Sequence, residues 1–299
     1  MNLNPYHLQI SPKTKLFNFF RRFFIFIGID KILPKFTRHS SINSFAARLI
    51  PPNYLYDSSS MRKLSFEGIN MKLDISDAVE HFTYYSFDEP ALQALYRFIT
   101  PGMTIIDIGA NIGATTLNMA KRVGATGKVF SFEPSPCNYQ KALDNIGLNN
   151  FPNIKLINQG LGDKKSTACL YNVNLNNRGM QRLLGENSEI SSYDNTEVEI
   201  DTLDRSMQLF EIPPPSLIKI DVEGYELKVL KGSWETLKKN KPALFIELDD
   251  NNLKEQGSEA KELIEFLLQL QYNIIVATNG KIVNEATDYS NCHFDILCT

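Results

Sequence analysis

The sequence predicts an α/β protein built on a doubly wound, mostly parallel sheet, with an N-terminal helical extension. Three observations carry that prediction. Short apolar runs of strand length alternate with amphipathic runs of helix length from residue 104 almost to the end of the chain. The first such junction, Thr104-Ile-Ile-Asp-Ile-Gly-Ala-Asn-Ile-Gly113, is a buried-type strand that runs into a turn of small residues. A carboxylate stands at or near the carboxyl end of four strands (Asp107, Glu133, Asp221 and Glu247), the edge at which open α/β sheets hold their ligands.

The chain has 299 residues, enough for one large domain or for one domain preceded by an extension. The division expected is a basic, phenylalanine-rich extension over residues 1–60 and the α/β domain over 61–299. The net charge of −3 argues against a general nucleic-acid binder, but it hides an asymmetry. Residues 1–63 carry ten Lys/Arg and two Asp, net +8, which leaves the remainder at −11. The four cysteines show no C-x-x-C pair and read as reduced thiols, so a cytoplasmic location is expected. The apolar run Leu16 to Ile29 is interrupted by Arg21 and Arg22, lacks a small-residue cleavage site and is too short to span a bilayer.

Residues 16–27 hold six phenylalanines around that arginine pair. Helical spacing puts Phe19, Phe23 and Phe26 on one side, with Phe20 and Phe24 next to it. Two readings fit: a helix docked on the catalytic body or a second subunit, or one lying in a lipid interface. Either way, residues 13–38 are expected to serve attachment, as a subunit contact or a peripheral membrane contact.

A hairpin is expected over Leu64 to Leu73, turning near Gly68-Ile-Asn70. A helix follows from Asp88-Glu-Pro90, with Leu92, Leu95, Phe98 and Ile99 as its apolar face. The helix Ala114–Val123 leads from the glycine turn to a second strand, Lys128–Glu133, and then to a helix from Pro136 to about Asn149. Glu133 ends its strand where nucleoside-binding folds place an acid on the ribose hydroxyls. A third strand, Ile154–Asn158, leads into Gln159–Asp163, where Leu161 or Gly162 could pack on an adenine ring. Strands are expected at 168–173 and 198–200, with the polar segment 174–195 as a flap over the acceptor. The fourth strand, Leu217–Asp221, runs into Val222-Glu-Gly-Tyr-Glu226. A fifth strand, Ala243–Leu248, a helix from Glu259 to Leu270 and two closing strands, 272–277 and 293–297, complete the sheet.

The turn Asp-Ile-Gly-Ala-Asn-Ile-Gly113 differs from the dinucleotide fingerprint, and an Asp at the strand end would repel a pyrophosphate. It would instead suit a ligand with a sulfonium and an ammonium. This turn, Phe132-Glu-Pro134, and Lys219-Ile-Asp-Val-Glu-Gly-Tyr-Glu226 with Val229-Leu-Lys-Gly232 together resemble the FkbM family of class I S-adenosylmethionine-dependent methyltransferases, over roughly residues 64–298. The resemblance implies a Rossmann-like sheet and methylation of a hydroxyl on a sugar or natural product, a small-molecule or glycan acceptor. The cofactor-binding residues expected are Asp107, Gly109, Asn111, Gly113, Glu133, Leu161 and Gly162. Removing the hydroxyl proton needs a base, for which Asp221, Glu223, Glu247 and His81 are the candidates. Mg²⁺ on Asp221, Glu247 and Asp249 is chemically feasible but not the favoured reading. A methyltransferase-like module that only binds a glycan or protein is the alternative, and it would carry a degraded cofactor turn. A nicotinamide dehydrogenase is disfavoured by the motif spacing.

Overall fold

The computed structural model describes residues 11–37, 44–85, 89–172, 181–183, 195–284 and 286–299. The described residues group into two compact units: those up to Lys63 with Leu73–Glu89, and Leu64–Lys72 with Pro90–Thr299.

In the first unit, α1 (Pro12–Phe26) starts where Ser11 accepts a hydrogen bond from the Thr14 amide and Pro12 takes the first helical position. Gly28, in the left-handed conformation, follows its end. Two short helices come next, α2 (Pro34–Thr37) and α3 (Phe45–Leu49). The hairpin, β1 (Met61–Phe66) with β2 (Ile69–Asp74), falls mostly in the second unit, which holds Leu64–Lys72. It turns at Glu67 and Gly68, both at positive φ, as a two-residue turn of this hand requires. Asn70, expected in the turn, already lies in β2. A further helix, α4 (Ala78–Tyr85), has no strong sequence signal; Asp77 Oδ1 caps it by accepting from the amides of Val79 and Glu80. Polar contacts knit this unit: Tyr56 Oη to Tyr85 Oη at 2.8 Å, Thr37 Oγ1 to the Tyr85 carbonyl at 3.1 Å, and Arg62 to the buried Asp30 at 3.2 Å.

Helix α1 is turned the opposite way from an ordinary amphipathic helix. Asn18 is buried and donates to Tyr54 Oη, and Arg21 donates to Asn18 Oδ1 and to the Arg48 carbonyl. Phe19, Phe20, Phe23 and Phe26 remain exposed.

The second unit continues with α5 (Pro90–Phe98), β3 (Thr104–Ile108), α6 (Ala114–Val123), β4 (Lys128–Phe132), α7 (Pro136–Gly147) and β5 (Ile154–Ile157). After it come β6 (Gly160–Leu161), β7 (Ser166–Asn172), β8 (Gln181–Leu183), β9 (Asn195–Asp201), α8 (Leu203–Leu209) and β10 (Leu217–Ile220). The chain ends with α9 (Glu226–Lys231), α10 (Trp234–Asn240), β11 (Ala243–Asp249), α11 (Asp250–Glu255), α12 (Ala260–Gln269), β12 (Ile274–Val276) and β13 (His293–Cys298).

Among the described residues seven strands form one sheet in the order β12-β13-β11-β10-β3-β4-β5, parallel except for β13. The chain winds outward from β3 through β4 to β5, then returns to β10 and winds the other way. The switch point therefore lies between β3 and β10, where such sheets open a crevice beyond their carboxyl ends. The order and directions are those of a doubly wound, Rossmann-like sheet, as expected from the sequence. Every residue of β10 is buried, and Leu217, Ile218 and Ile220 are fully so. The two closing strands pair antiparallel, with β13 inserted between β11 and β12. The expected strands at 168–173 and 198–200 belong to a separate small sheet, β6-β9-β7-β8. Most of the segment expected as a flap, 174–195, lies outside the described residues.

Candidate active site

The head of β3 is held by its neighbours on both sides. Asp107 pairs in register with Lys219 of β10 and with Ser131 of β4, which puts all three on one face of the sheet. Asp107 is fully buried, and its Oδ2 accepts from Thr116 Oγ1 at 2.6 Å. Its Oδ1 has no hydrogen-bond partner and lies 3.6 Å from Lys219 Nζ. Burial raises its pKa, while Lys219 and Thr116 oppose the rise.

Lys219 is the residue that the sequence reading passed over. It sits third in the apolar run Leu217–Ile220, is 3% exposed, and lies 3.0 Å from Asp221 Oδ2. Its Nζ also donates to the Gly109 carbonyl at 3.2 Å. Burial would lower its pKa, but Asp221 and Asp107 more than offset this and hold the ammonium charged. One buried cation thus ties together the ends of β3 and β10 and the turn between β3 and α6.

The turn itself is tightly determined. Gly109 is at φ +86°, and a Cβ there would lie 1.9 Å from the Asp221 carbonyl oxygen. Gly113, also at positive φ, faces Ala142 of α7 at ordinary contact distance. Asn111 is a non-glycine residue at φ +49°, and its buried Oδ1 has no hydrogen-bond partner. A strained residue with an unsatisfied buried acceptor marks a place prepared for a donor.

Glu133, just beyond β4, is buried and accepts from the amides of Asn111 at 2.7 Å and Ser135 at 2.9 Å. Burial pushes its pKa up to about 7 against the pull of those two amides. Each carboxylate oxygen keeps a second lone pair for a further donor. Leu161 is buried among Phe132, Ile157 and Leu203 in the core, and Gly162 packs against Ile200 and Tyr225. In this structure both residues pack.

Beyond β10 the carboxylates crowd. Asp221 has 44% of its side chain exposed and is held by Lys219. Glu223, at φ +54°, accepts from Asn252 Nδ2 at 3.1 Å. Glu226 accepts from the amides of Val222 and Gly224 and so closes the loop; burial pushes its pKa up to about 7. Glu247 of β11 stands opposite Asp295 of β13. Burial raises the Glu247 pKa far above the usual carboxylate range, helped by Asp221, Glu223, Glu226 and Asp295. For Asp295 burial and Asp221 push the pKa up to about 6. Asp249 caps α11 with Oδ1 and meets His293 with Oδ2. Among the described residues, no group of three or more His, Cys, Asp or Glu side chains is arranged to hold a metal ion. His81 belongs to the first unit, where its Nε2 meets the Pro51 carbonyl at 2.8 Å and burial lowers its pKa to about 4.

These shifts have a consequence for stability. A carboxyl whose folded pKa is raised contributes stability that is complete below its ordinary value of about 4.5 and is lost as pH rises through about 7. The ligand-free protein should therefore melt at a lower temperature at pH 8 than at pH 5.5. Glu133 alone should contribute roughly 2 kcal/mol to the difference. A melting temperature that rises over this interval in calorimetric scans would contradict the assignment of neutral carboxyls to the site.

Residues 107–274, more than half of the chain, match the methyltransferase FkbM domain. The match takes in every candidate site residue except His81. The chain is 28% identical over 180 residues to Methyltransferase 1 of Beauveria bassiana, covering 54% of this chain and 70% of that protein. It is 27% identical over 134 residues to the hexuronic acid methyltransferase AglP of Haloferax volcanii, covering 44% of this chain and 50% of that protein. A solved FkbM methyltransferase from Methylobacillus flagellatus KT aligns with a TM-score of 0.41 at 18% identity, covering 74% of this chain and 52% of that one. The chain spans about half the length of the last two proteins.

Proposed function

The chain belongs to the FkbM methyltransferase family, and from that premise we propose that it moves the methyl group of S-adenosylmethionine to a hydroxyl of a sugar or natural-product acceptor. The observation that carries this reading is the buried, unsatisfied acceptor Asn111 Oδ1 beside Glu133 at the head of β3, with Asp107 Oδ1 met only by the ion pair to Lys219. An ammonium and two ribose hydroxyls are the donors that such a set lacks. When bound, S-adenosylmethionine supplies an electrophilic methyl group next to a positive sulfur. The donor chemistry fits: Asp107, the turn from Gly109 to Gly113, Asn111 and Glu133 would hold it, with the loop after β5 proposed for the adenine side.

The residues of the chain have three tasks in this proposal. Glu133 accepts hydroxyl protons in hydrogen bonds. Lys219 keeps the ends of β3 and β10 together, so that acceptor and cofactor sites stay in register. Asp221, with 44% of its side chain exposed just beyond β10, takes the acceptor hydroxyl proton. The catalytic domain proposed is residues 61–299, with residues 1–60 as an extension, and the location proposed is the cytoplasm.

Calorimetric titration with S-adenosylmethionine and S-adenosylhomocysteine tests the reading. Binding of both is expected at pH 8, above the raised Glu133 pKa, and Glu133→Ala should weaken it there by roughly 1.5–3 kcal/mol, as for hydrogen bonds to a charged group. No heat from a folded sample would sink the proposal; an unchanged Glu133→Ala affinity would sink the ribose assignment. Methyl transfer to a panel of sugars, hexuronic acids included because one relative is named for them, separates the enzyme from a binding module.

A further inference from the structure

We infer that helix α1 is a peripheral membrane anchor that lies flat in the surface of an anionic bilayer. The starting point is which way the helix faces. At 3.6 residues per turn, Thr14, Asn18, Arg21 and Ile25 fall on one arc, and that arc faces inward, with Asn18 and Arg21 hydrogen-bonded to Tyr54 and Arg48. The opposite arc holds Leu16, Phe19, Phe20, Phe23 and Phe26, which are 50–86% exposed. Within the first unit these phenylalanines stay exposed.

Charge selects the occupant. The exposed basic residues Lys15 and Arg22 border one edge of the apolar arc, and Lys13 borders the other. No acidic residue lies on α1. Lys31 and Lys35 follow, also exposed, beside the exposed Ile32 and Phe36. An apolar arc bordered on both sides by cations whose stems can lie along it is the pattern of a helix seated at the headgroup level of an anionic leaflet. A second copy of this chain would bring the same positive charge to the contact, which disfavours a symmetric pairing through this face. The length agrees as well. Fifteen residues rise about 22 Å, short of the ~30 Å hydrocarbon core, so the helix can lie along the membrane but not cross it. No helix among the described residues is long and apolar enough to cross.

The test is co-sedimentation of the full chain with two kinds of vesicle, one of equal parts phosphatidylglycerol and phosphatidylcholine and one of phosphatidylcholine alone. Binding to the anionic vesicles and weak binding to the neutral ones is expected. The triple variant Phe19→Ser/Phe23→Ser/Phe26→Ser should stay in the supernatant with a nearly unchanged melting temperature, because those side chains are mostly exposed. Reversing Lys13, Lys15 and Arg22 to Glu should weaken anionic binding by about fivefold or more for each residue. Wild-type protein that binds neither vesicle overturns the inference, as does vesicle binding that survives the triple serine variant. A triple variant that unfolds or aggregates also overturns it, since the phenylalanines would then be core. So does a concentration-dependent dimer in sedimentation velocity, abolished by the same substitutions, in protein that ignores both vesicles.

Discussion

Replacing Lys219 by methionine should destabilise the fold by about 3–5 kcal/mol, the usual cost of removing one partner from a buried ion pair. The side chain is 3% exposed, and its ammonium lies 3.0 Å from Asp221 and 3.6 Å from Asp107. Methionine fills much of the same volume, so the loss is electrostatic more than steric. Without the lysine, Asp107 stays buried with an unpartnered Oδ1 and faces Asp221 with no cation between them. Its carboxyl, already raised by burial, then rises further and takes a proton. That gives the variant a pH signature of a definite sign. A raised folded pKa favours the protonated fold, so Lys219→Met should recover stability toward the wild type as pH falls from 8 to 5. Adding Asp107→Asn to the variant should restore part of the loss, because the uncompensated charge is gone. Urea denaturation at several pH values measures all three proteins. Equal midpoints for wild type and Lys219→Met at pH 7.5 would mean that the lysine charge does not hold this site.

The reason that Lys219 was missed is physical. A strand buried on both faces reads as an apolar run, and a single lysine within Leu217–Ile220 is easily taken as tolerated at an edge. The partner that makes it tolerable, Asp107, is 112 residues away, adjacent only through the register of β10 on β3. By contrast, the β3–α6 junction was legible to the residue, because strand, turn and helix are each fixed by side chains within ten positions. The strand ends at Glu133 and Asp221 were legible for the same reason, although each carboxylate follows its strand by one residue. Periodicity showed that α1 has an apolar side but not which side faces inward. That choice belongs to Tyr54 and Arg48, which meet the polar arc. The small sheet β6-β9-β7-β8 was hidden too, since its strands look locally like any others and only long-range pairing separates them from the main sheet. Helix α4 carries a weak apolar pattern and is set by the Asp77 cap and by Tyr85 burying in the first unit.

Asp221→Asn should lower kcat/KM for methyl transfer by 10²–10⁴-fold, the contribution usual for a positioned general base, or about 3–5 kcal/mol in the barrier. The cofactor affinity should change far less, since asparagine keeps the shape and can still meet the Lys219 environment through its carbonyl. Elimination among the four candidates leads to this residue. Burial, with the neighbouring Asp221, Glu223, Glu226 and Asp295, favours the neutral form of Glu247, which is a poor proton acceptor. Glu223 is engaged with Asn252. His81 is buried on the Pro51 carbonyl and belongs to the first unit. Asp221 has 44% of its side chain open to an incoming acceptor, at the end of the strand beside the switch point. The pH profile distinguishes it from its strongest rival. If Glu247 were the base, only its rare ionised form would act, and the rate would climb about tenfold per pH unit on the alkaline side. Glu247→Gln would then abolish turnover while Asp221→Asn spared it. With Asp221 as the base, Glu247→Gln retains most of the activity, and Asp221→Asn loses kcat and kcat/KM together, as expected for an interaction made only in the transition state. Steady-state rates of labelled-methyl transfer to the best acceptor from the sugar panel, measured for both variants between pH 6 and 9, decide between them.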